Sequence, residues 1–247
     1  MICIINEMPD SKIFRFETLP STQDYAVKLA RNAEDREWTA VAAGSQTKGR
    51  GTGGTGWYSP AGQNLYFSLT AWPPAVMADL AVINHVAALA VVEALSGYGL
   101  ACRIKWPNDV QAGGKKICGI LSTSGLNRRG DGFVVCGVGL NVDTQEFPAG
   151  LSELATSMKI LTGQSADKEE LLCKLLAALK RRFRLLFKSG FAGEVREYVS
   201  LMTQLGDAYT VGAGKVAGRI AGISEKGRLL VKYPSGVEAV CDALDYG

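Results

Sequence analysis

The chain has one histidine, His85, among 247 residues, and that shortage narrows its chemistry at once. A multi-histidine zinc centre cannot be assembled from it, and a histidine-based nucleophilic triad has a single candidate base, set inside an apolar helical run. Cysteine is also sparse in pattern: Cys3, Cys102, Cys118, Cys136, Cys173 and Cys241 form no C-x-x-C pair and no metal-ligand spacing. Most lie in apolar runs, as reduced and buried thiols do in a cytoplasmic protein. No apolar run reaches membrane-spanning length, and the start lacks the basic stretch and apolar run of a secretion leader. The charge excess is only +3 and is scattered rather than striped, which offers no footing for nucleic acid. The expectation is a soluble, intracellular protein with no membrane partner.

At 47% hydrophobic residues the chain can bury a sizeable core, and its length suits one large domain or a large one with a small one. Residues 44–64, GSQTKGRGTGGTGWYSPAGQN, are dense in glycine and lie between two apolar strands expected at residues 39–43 and 65–70. Glycine accepts positive φ and lets the main chain approach a ligand, and successive N–H groups in such a loop make a concavity for anions. Lys48 and Arg50 add positive charge there, and Trp57 offers a flat face for a ring. The loop lacks G-x-x-x-x-G-K-[ST], and it leads into a strand, where a dinucleotide-binding glycine motif would open a helix.

Short strands are expected at residues 2–5 and 12–16, with Pro9 and Asp10 in the turn between them. Ser21, with Asp24 three residues on, starts a helix running to about Asn32. Residues 76–96 read as one long apolar helix stopped by Gly97, with His85 as a packed core residue. A strand over residues 101–106 ends at Pro107, which cannot donate to a ladder and so gathers Lys105, Asn108 and Asp109 at a strand end. Strand alternation over residues 115–123 puts Lys116, Cys118 and Ile120 on one face, and a lysine in that setting needs an anion or a path to solvent. Residues 133–142 close the sheet. Residues 167–188 form an amphipathic helix whose Lys180, Arg181, Arg182 and Arg184 are mostly solvated. From about Leu205 the character changes to short β segments with glycine-rich turns.

These motifs resemble those of biotin protein ligases, in the same order and over nearly the whole chain. Gln46, Gly49, Arg50, Gly51, Gly54, Trp57, Ser59 and Pro60, followed by Asn64-Leu65-Tyr66, match the family's glycine-arginine-glycine loop. Lys105-Trp106-Pro107-Asn108-Asp109 matches K-W-P-N-D, and Lys116, Gly119, Ile120 and Leu121 match K-x-x-G-I-L. Gly137, Gly139 and Asn141 match G-x-G-x-N, Thr156-Ser157 resembles the A-T-S segment, and Ser21-Thr22 the S-T helix start. Two departures stand out: Thr52 and Thr55 occupy positions where many members carry arginines, and residues 242–247 differ from the usual ending.

The resemblance implies an α+β fold, with a mixed, mostly antiparallel sheet and packed helices over residues 1–203 and a small SH3-like barrel over 204–247. It implies ATP-dependent biotinylation through biotinyl-5′-AMP, with biotin and Mg-ATP as substrates and a biotin carboxyl carrier protein, of acetyl-CoA carboxylase or a related carboxylase, as acceptor. No helix-turn-helix segment precedes residue 1, so no DNA partner is expected; a homodimer stays open. By the same resemblance Lys116, Arg50 and Asp109 are the catalytic candidates. Ser21, Thr22, Gln46, Gly49, Arg50, Tyr66, Lys116 and Gly119 are the biotin-binding set, with Gly119 leaving room for the bicycle. Arg50, Gly51, Thr52, Trp57, Asn108, Lys116 and Asn141 are the adenylate set, with Trp57 stacked on adenine; no residue is assigned to a metal. Two other readings remain: a lipoate or octanoyl transferase of the same fold with Cys118 as acyl carrier, or a non-catalytic biotin-binding module.

Overall fold

The computed structural model of the chain describes residues 3–8, 11–74, 80–211 and 215–241, with side chains left undescribed throughout the first strand and in parts of the second, ninth, tenth and twelfth. An eight-stranded sheet runs in the order β1-β2-β3-β4-β8-β7-β6-β5. Its strands are β1 (Cys3–Met8), β2 (Ser11–Leu19), β3 (Trp38–Gln46), β4 (Leu65–Ala71), β5 (Cys102–Lys105), β6 (Asp109–Ala112), β7 (Lys115–Leu126) and β8 (Gly132–Leu140). Only β2 and β3 pair in parallel, because helix α1 (Thr22–Arg31) crosses over between them; every other neighbouring pair is antiparallel. The turn expected at Pro9 and Asp10 lies outside the described residues.

The two faces of the sheet are covered differently. Helices α2 (Ala81–Ser96) and α4 (Lys168–Ser189) pack on one face over Phe67, Leu69, Val134, Cys136, Val138 and Leu140. The stripe Leu172, Leu175, Leu176, Leu179 and Phe183 of α4 is buried there, each residue contributing about 1.5–3 kcal/mol relative to exposure. The other face carries α1 over Phe16, Val41, Phe133 and Val135. Along β8, residues alternate between these two cores until the α1 face changes from Phe133 and Val135 to Gly137 and Gly139. Losing side chains on one face while keeping them on the other opens a cavity without thinning the core behind it.

A second sheet, in the order β12-β11-β10-β9, is antiparallel throughout and comprises β9 (Ala208–Val211), β10 (Lys215–Ile223), β11 (Leu229–Tyr233) and β12 (Gly236–Cys241). It bears on the larger sheet through Gly227, whose carbonyl accepts from Trp106 Nε1 at 3.3 Å and lies 2.9 Å from His85 Nε2. Gln204 Nε2 donates to the Trp106 carbonyl at 3.0 Å.

Several expectations change. Residues 133–142 do not close the sheet: β8 lies between β4 and β7, inside it. The long apolar helix is described only from Ala81, and Gly97 keeps right-handed φ at −64°; the positive φ that turns the chain belongs to Gly99. Lys180 and Arg182 are buried rather than solvated, since Arg182 is clasped by Glu93, Glu194 and Glu197 from α2 and the segment around helix α5 (Val195–Leu201). Helices α3 (Met158–Thr162) and α5 had no expected counterpart. Among the described residues no helix is long and apolar enough to cross a membrane.

Candidate active site

The cavity opened by the β8 glycines has a volume of about 450 Å³, within the range of small-molecule sites. Its floor is a cross-strand pair, Gly119 of β7 opposite Gly139 of β8. The Trp57 indole lies flat on that pair: a methyl group added at Gly139 would meet Trp57 Nε1 at 2.4 Å, and one at Gly119 would meet Trp57 Cζ3 at 2.7 Å. The space over Gly119 expected for the biotin bicycle therefore holds Trp57, because the glycine loop folds back over the sheet. Trp57 Nε1 faces Gly139 on the floor, is buried, and has no hydrogen-bond partner among the described residues, at a cost of about 1–3 kcal/mol.

The loop is a small hairpin, not a slack linker. Lys48 N donates to the Pro20 carbonyl at 2.8 Å, Trp57 N to the Gly49 carbonyl at 3.0 Å and Gly51 N to the Thr55 carbonyl at 2.7 Å. Its tip is a 3-10 turn over Thr52–Gly54, where Gly53 and Gly54 take φ of 63° and 80°. That left-handed backbone is open to glycine at no steric cost.

Lys116 enters the cavity from the start of β7. Its Nζ lies 2.6 Å from Asp109 Oδ1 and 5.2 Å from the centre of the Trp57 ring. Its main chain is fixed on both sides, with Lys116 N donating to the Leu154 carbonyl at 2.8 Å and Thr156 N to the Lys116 carbonyl at 2.9 Å. The expected alternation fails here. The β6 register slips between Val110 and Gln111, so Ile117 and Cys118 both enter the helix-side core while Lys116, Gly119 and Leu121 line the cavity. Cys118 is fully buried, does not line the cavity, and burial pushes its thiol well above the usual range. It is neither reachable nor ionised enough to carry an acyl group.

At the opposite end a polar network ties α1 to the sheet. Gln46 Oε1 accepts from Thr22 N at 2.8 Å and Thr22 Oγ1 at 3.2 Å, and Gln46 Nε2 donates to Ser59 Oγ at 3.0 Å. Ser68 Oγ lies 3.1 Å from Thr22 Oγ1 and donates to Gln23 Oε1 at 3.0 Å. Ser21 Oγ caps α1 through Asp24 N at 3.3 Å. Arg50 reaches outward to Asp24 Oδ1 at 2.5 Å, in a pair more than half exposed on both sides.

Of the residues singled out in the sequence, Ser21, Thr22, Gln46, Arg50, Gly51, Thr52, Trp57, Asn108, Asp109, Lys116, Gly119 and Asn141 line the cavity. Gly49 and Tyr66 do not. Gly49 is closed in by Ser59 Oγ and the Trp57 carbonyl, each 2.7 Å from an added methyl group. Tyr66 is buried, its hydroxyl donating to the Pro60 carbonyl at 3.1 Å and accepting from Asn64 Nδ2. Burial holds that hydroxyl above its ordinary pKa. Asn108 and Asn141 use their side chains to hold the walls, donating to the Ile120 carbonyl at 2.8 Å and the Thr156 carbonyl at 3.0 Å.

Gln23, Ser68, Phe147, Leu151 and Leu154 also line the cavity and were not foreseen as site residues. Ser68 had a readable signal, a hydroxyl set between Phe67 and Leu69 in a buried apolar strand. Phe147, Leu151 and Leu154 follow no period and had none. Among the described residues no cluster of three or more His, Cys, Asp or Glu side chains could hold a metal ion.

The sequence pattern of the biotin/lipoate A/B protein ligase family matches residues 15–141. The chain is 33% identical to the biotin–[acetyl-CoA-carboxylase] ligase of Paracoccus denitrificans, over 89% of this chain and 94% of that one. It is 31% identical to the bifunctional ligase/repressor BirA of Bacillus spizizenii, over 92% of this chain and 71% of that one. A solved structure of biotin protein ligase from Aquifex aeolicus, in complex with biotin and ATP, superposes with a TM-score of 0.79 at 31% identity, covering 94% of this chain and 96% of that chain.

Proposed function

The chain belongs to the biotin/lipoate A/B protein ligase family, and from that premise we propose that it joins biotin to a lysine of a biotin carboxyl carrier protein at the expense of ATP. A biotin carboxylate oxygen attacks the α-phosphorus of Mg-ATP, pyrophosphate leaves, and biotinyl-5′-AMP forms. The ε-amine of the carrier lysine then attacks the acyl carbon, AMP leaves, and an amide results. No enzyme nucleophile takes part, in keeping with the buried Cys118 and a His85 enclosed far from solvent.

The observation that carries this reading is the convergence of Lys116, Arg50 and the glycine loop on one cavity. Two anions must approach each other in the first step, so fixed cations and N–H groups are needed where charge builds up. Lys116, oriented by Asp109, serves the carboxylate and α-phosphate from the sheet side. Arg50 serves them from the loop side. Gln46, Thr22 and Ser21 offer an array of donors and acceptors suited to a ureido ring. The Trp57 indole gives the adenylate an apolar surface. Asp109, beside Lys116, is placed to take the proton of the incoming lysine. The domain division at residues 203 and 204 belongs to the same proposal: the site is built wholly from residues before it.

Biotin-dependent exchange of pyrophosphate into ATP tests the first step, and transfer of labelled biotin to a carrier domain tests the second. Lys116→Ala is expected to slow exchange at least about tenfold to a hundredfold, the worth of a charge-assisted contact, with the thermal melt little changed. Exchange supported by lipoate and not by biotin, or none with either, overturns the reading.

A further inference from the structure

A second concavity, of about 710 Å³, lies beside the active-site cavity and shares Gln23 and Arg50 with it. Its lining is strongly basic: Lys28, Arg31, Arg50 and Arg128 against the single carboxylate of Asp24. Asp24 is already engaged by Arg50. Lys28, Arg31 and Arg128 are exposed and have no carboxylate partner among the described residues.

Lys28 and Arg31 alone have an ordinary explanation, since cations in the last turn of α1 complement the helix dipole. Arg128 does not share it. It comes from the turn between β7 and β8, and its N–H donates to the Arg31 carbonyl at 3.2 Å. Asn127 fastens the same turn, its Nδ2 reaching the Ala33 carbonyl at 3.2 Å. The fold thus pins two like-charged residues main chain to main chain at the rim of a groove, with no anion of its own between them. Positive charges gathered at one rim attract an arriving anion.

We infer that this groove receives an acidic segment of the carrier domain, next to the lysine to be modified, and so delivers that lysine to the cavity. The inference rests on the ligase reading above. Three features select this occupant. The groove opens directly onto the cavity through Arg50, so a chain lying in it needs no further path to the acyl-adenylate. Its unpaired charges are all positive. Leu126 and Val27 add an apolar strip along the same wall, which suits a folded protein surface better than free phosphate. The charges act mainly on encounter, raising the association rate and its sensitivity to salt.

The test uses the intact enzyme with a carrier domain and its counterpart in which the acidic residues flanking the target lysine are changed to amides. Arg31→Glu with Arg128→Glu is expected to raise KM for the carrier about tenfold or more at low salt. Biotin-dependent pyrophosphate exchange, which needs no carrier, should be unchanged. The difference from wild type should shrink at high salt and should be small with the amide carrier. Arg31→Gln with Arg128→Gln should give a smaller rise in the same direction. An unchanged carrier KM beside intact exchange overturns the inference. So does a raised KM for ATP in exchange, which would make the groove a phosphate site. A change in sedimentation with carrier KM unchanged would mean a second copy of the chain occupies it, and would overturn it too. Loss of exchange in the wild type would instead sink the ligase reading itself.

Discussion

At the scale of single residues, the site depends on what two positions leave out. Gly119 and Gly139 face each other across β7 and β8, and Trp57 fills the space their missing side chains leave. Gly139→Ala would drive a methyl group into the indole ring, at 2.4 Å from Nε1 where van der Waals contact needs more than 3.4 Å. The backbone at Gly139 is not in the left-handed region, so the strain falls on Trp57 and the loop. The expected outcome is a folded protein, by thermal melt, that binds biotin at least about tenfold more weakly in calorimetry, the cost of an overpacked contact being about 1–3 kcal/mol. Unchanged affinity would mean that Trp57 moves aside freely. Thr52 lines the cavity at the loop tip but brings only a hydroxyl where phosphate charge is expected. Thr52→Arg should slow the escape of biotinyl-AMP about tenfold to a hundredfold, since a charge-assisted hydrogen bond contributes about 1.5–3 kcal/mol. It should also reduce stray labelling of an unrelated protein; if neither changes, the threonine is a neutral replacement.

At the scale of elements, the glycine loop is anchored at its base and bare at its tip. Thr47 N and Lys48 N bond to the Leu19 and Pro20 carbonyls, whereas residues 52–56 are exposed. A segment with few buried contacts opens at low free-energy cost, and ligand contacts offset the entropy of ordering it. Biotin with ATP should therefore raise hydrogen-exchange protection across residues 47–57, most at the tip; equal protection in both states would count against the loop as the site. The loop's existence was readable because glycine density between two apolar strands has few structural explanations. Helix α4 was readable for the opposite reason, a regular apolar stripe. The fate of its basic residues was not, since Arg182 is buried only because Glu93, Glu194 and Glu197 come from distant segments to meet it. Helices α3 and α5, of five and seven residues, are too short to show a period.

At the scale of the whole molecule, His85 links the two sheets. Its ring is fully buried between the Gly227 carbonyl at 2.9 Å and the Pro107 carbonyl at 3.2 Å, and packs on Tyr198. Burial pushes its pKa down to about 4 from 6.5, partly opposed by the two carbonyls. The ring is neutral in the fold, so between pH 6.5 and 4 the unfolded chain binds a proton that the folded chain refuses. Stability from this group is constant above pH 6.5 and declines as pH falls through that window, by about 3 kcal/mol in all. Thermal melts from pH 7 to pH 4.5 should show this decline, and His85→Gln, which keeps a donor but does not titrate there, should show a shallower one. Parallel curves for the two proteins would remove His85 as the cause.

The sequence by itself determined the local chemistry: where glycine permits a tight loop, where proline ends a strand, which helices bury a stripe, and which motifs resemble a biotin ligase. Those features depend on residues within a few positions of one another, so they are written in the chain order. The tertiary structure decided what faces what. It put β8 inside the sheet, slipped the β6–β7 register so that Lys116 and Cys118 part company, and laid Trp57 over two glycines from different strands. It also brought Arg128 against Arg31 across nearly a hundred residues of chain. Such pairings are set by long-range strand register and by which core a side chain fills, and a one-residue slip reverses them.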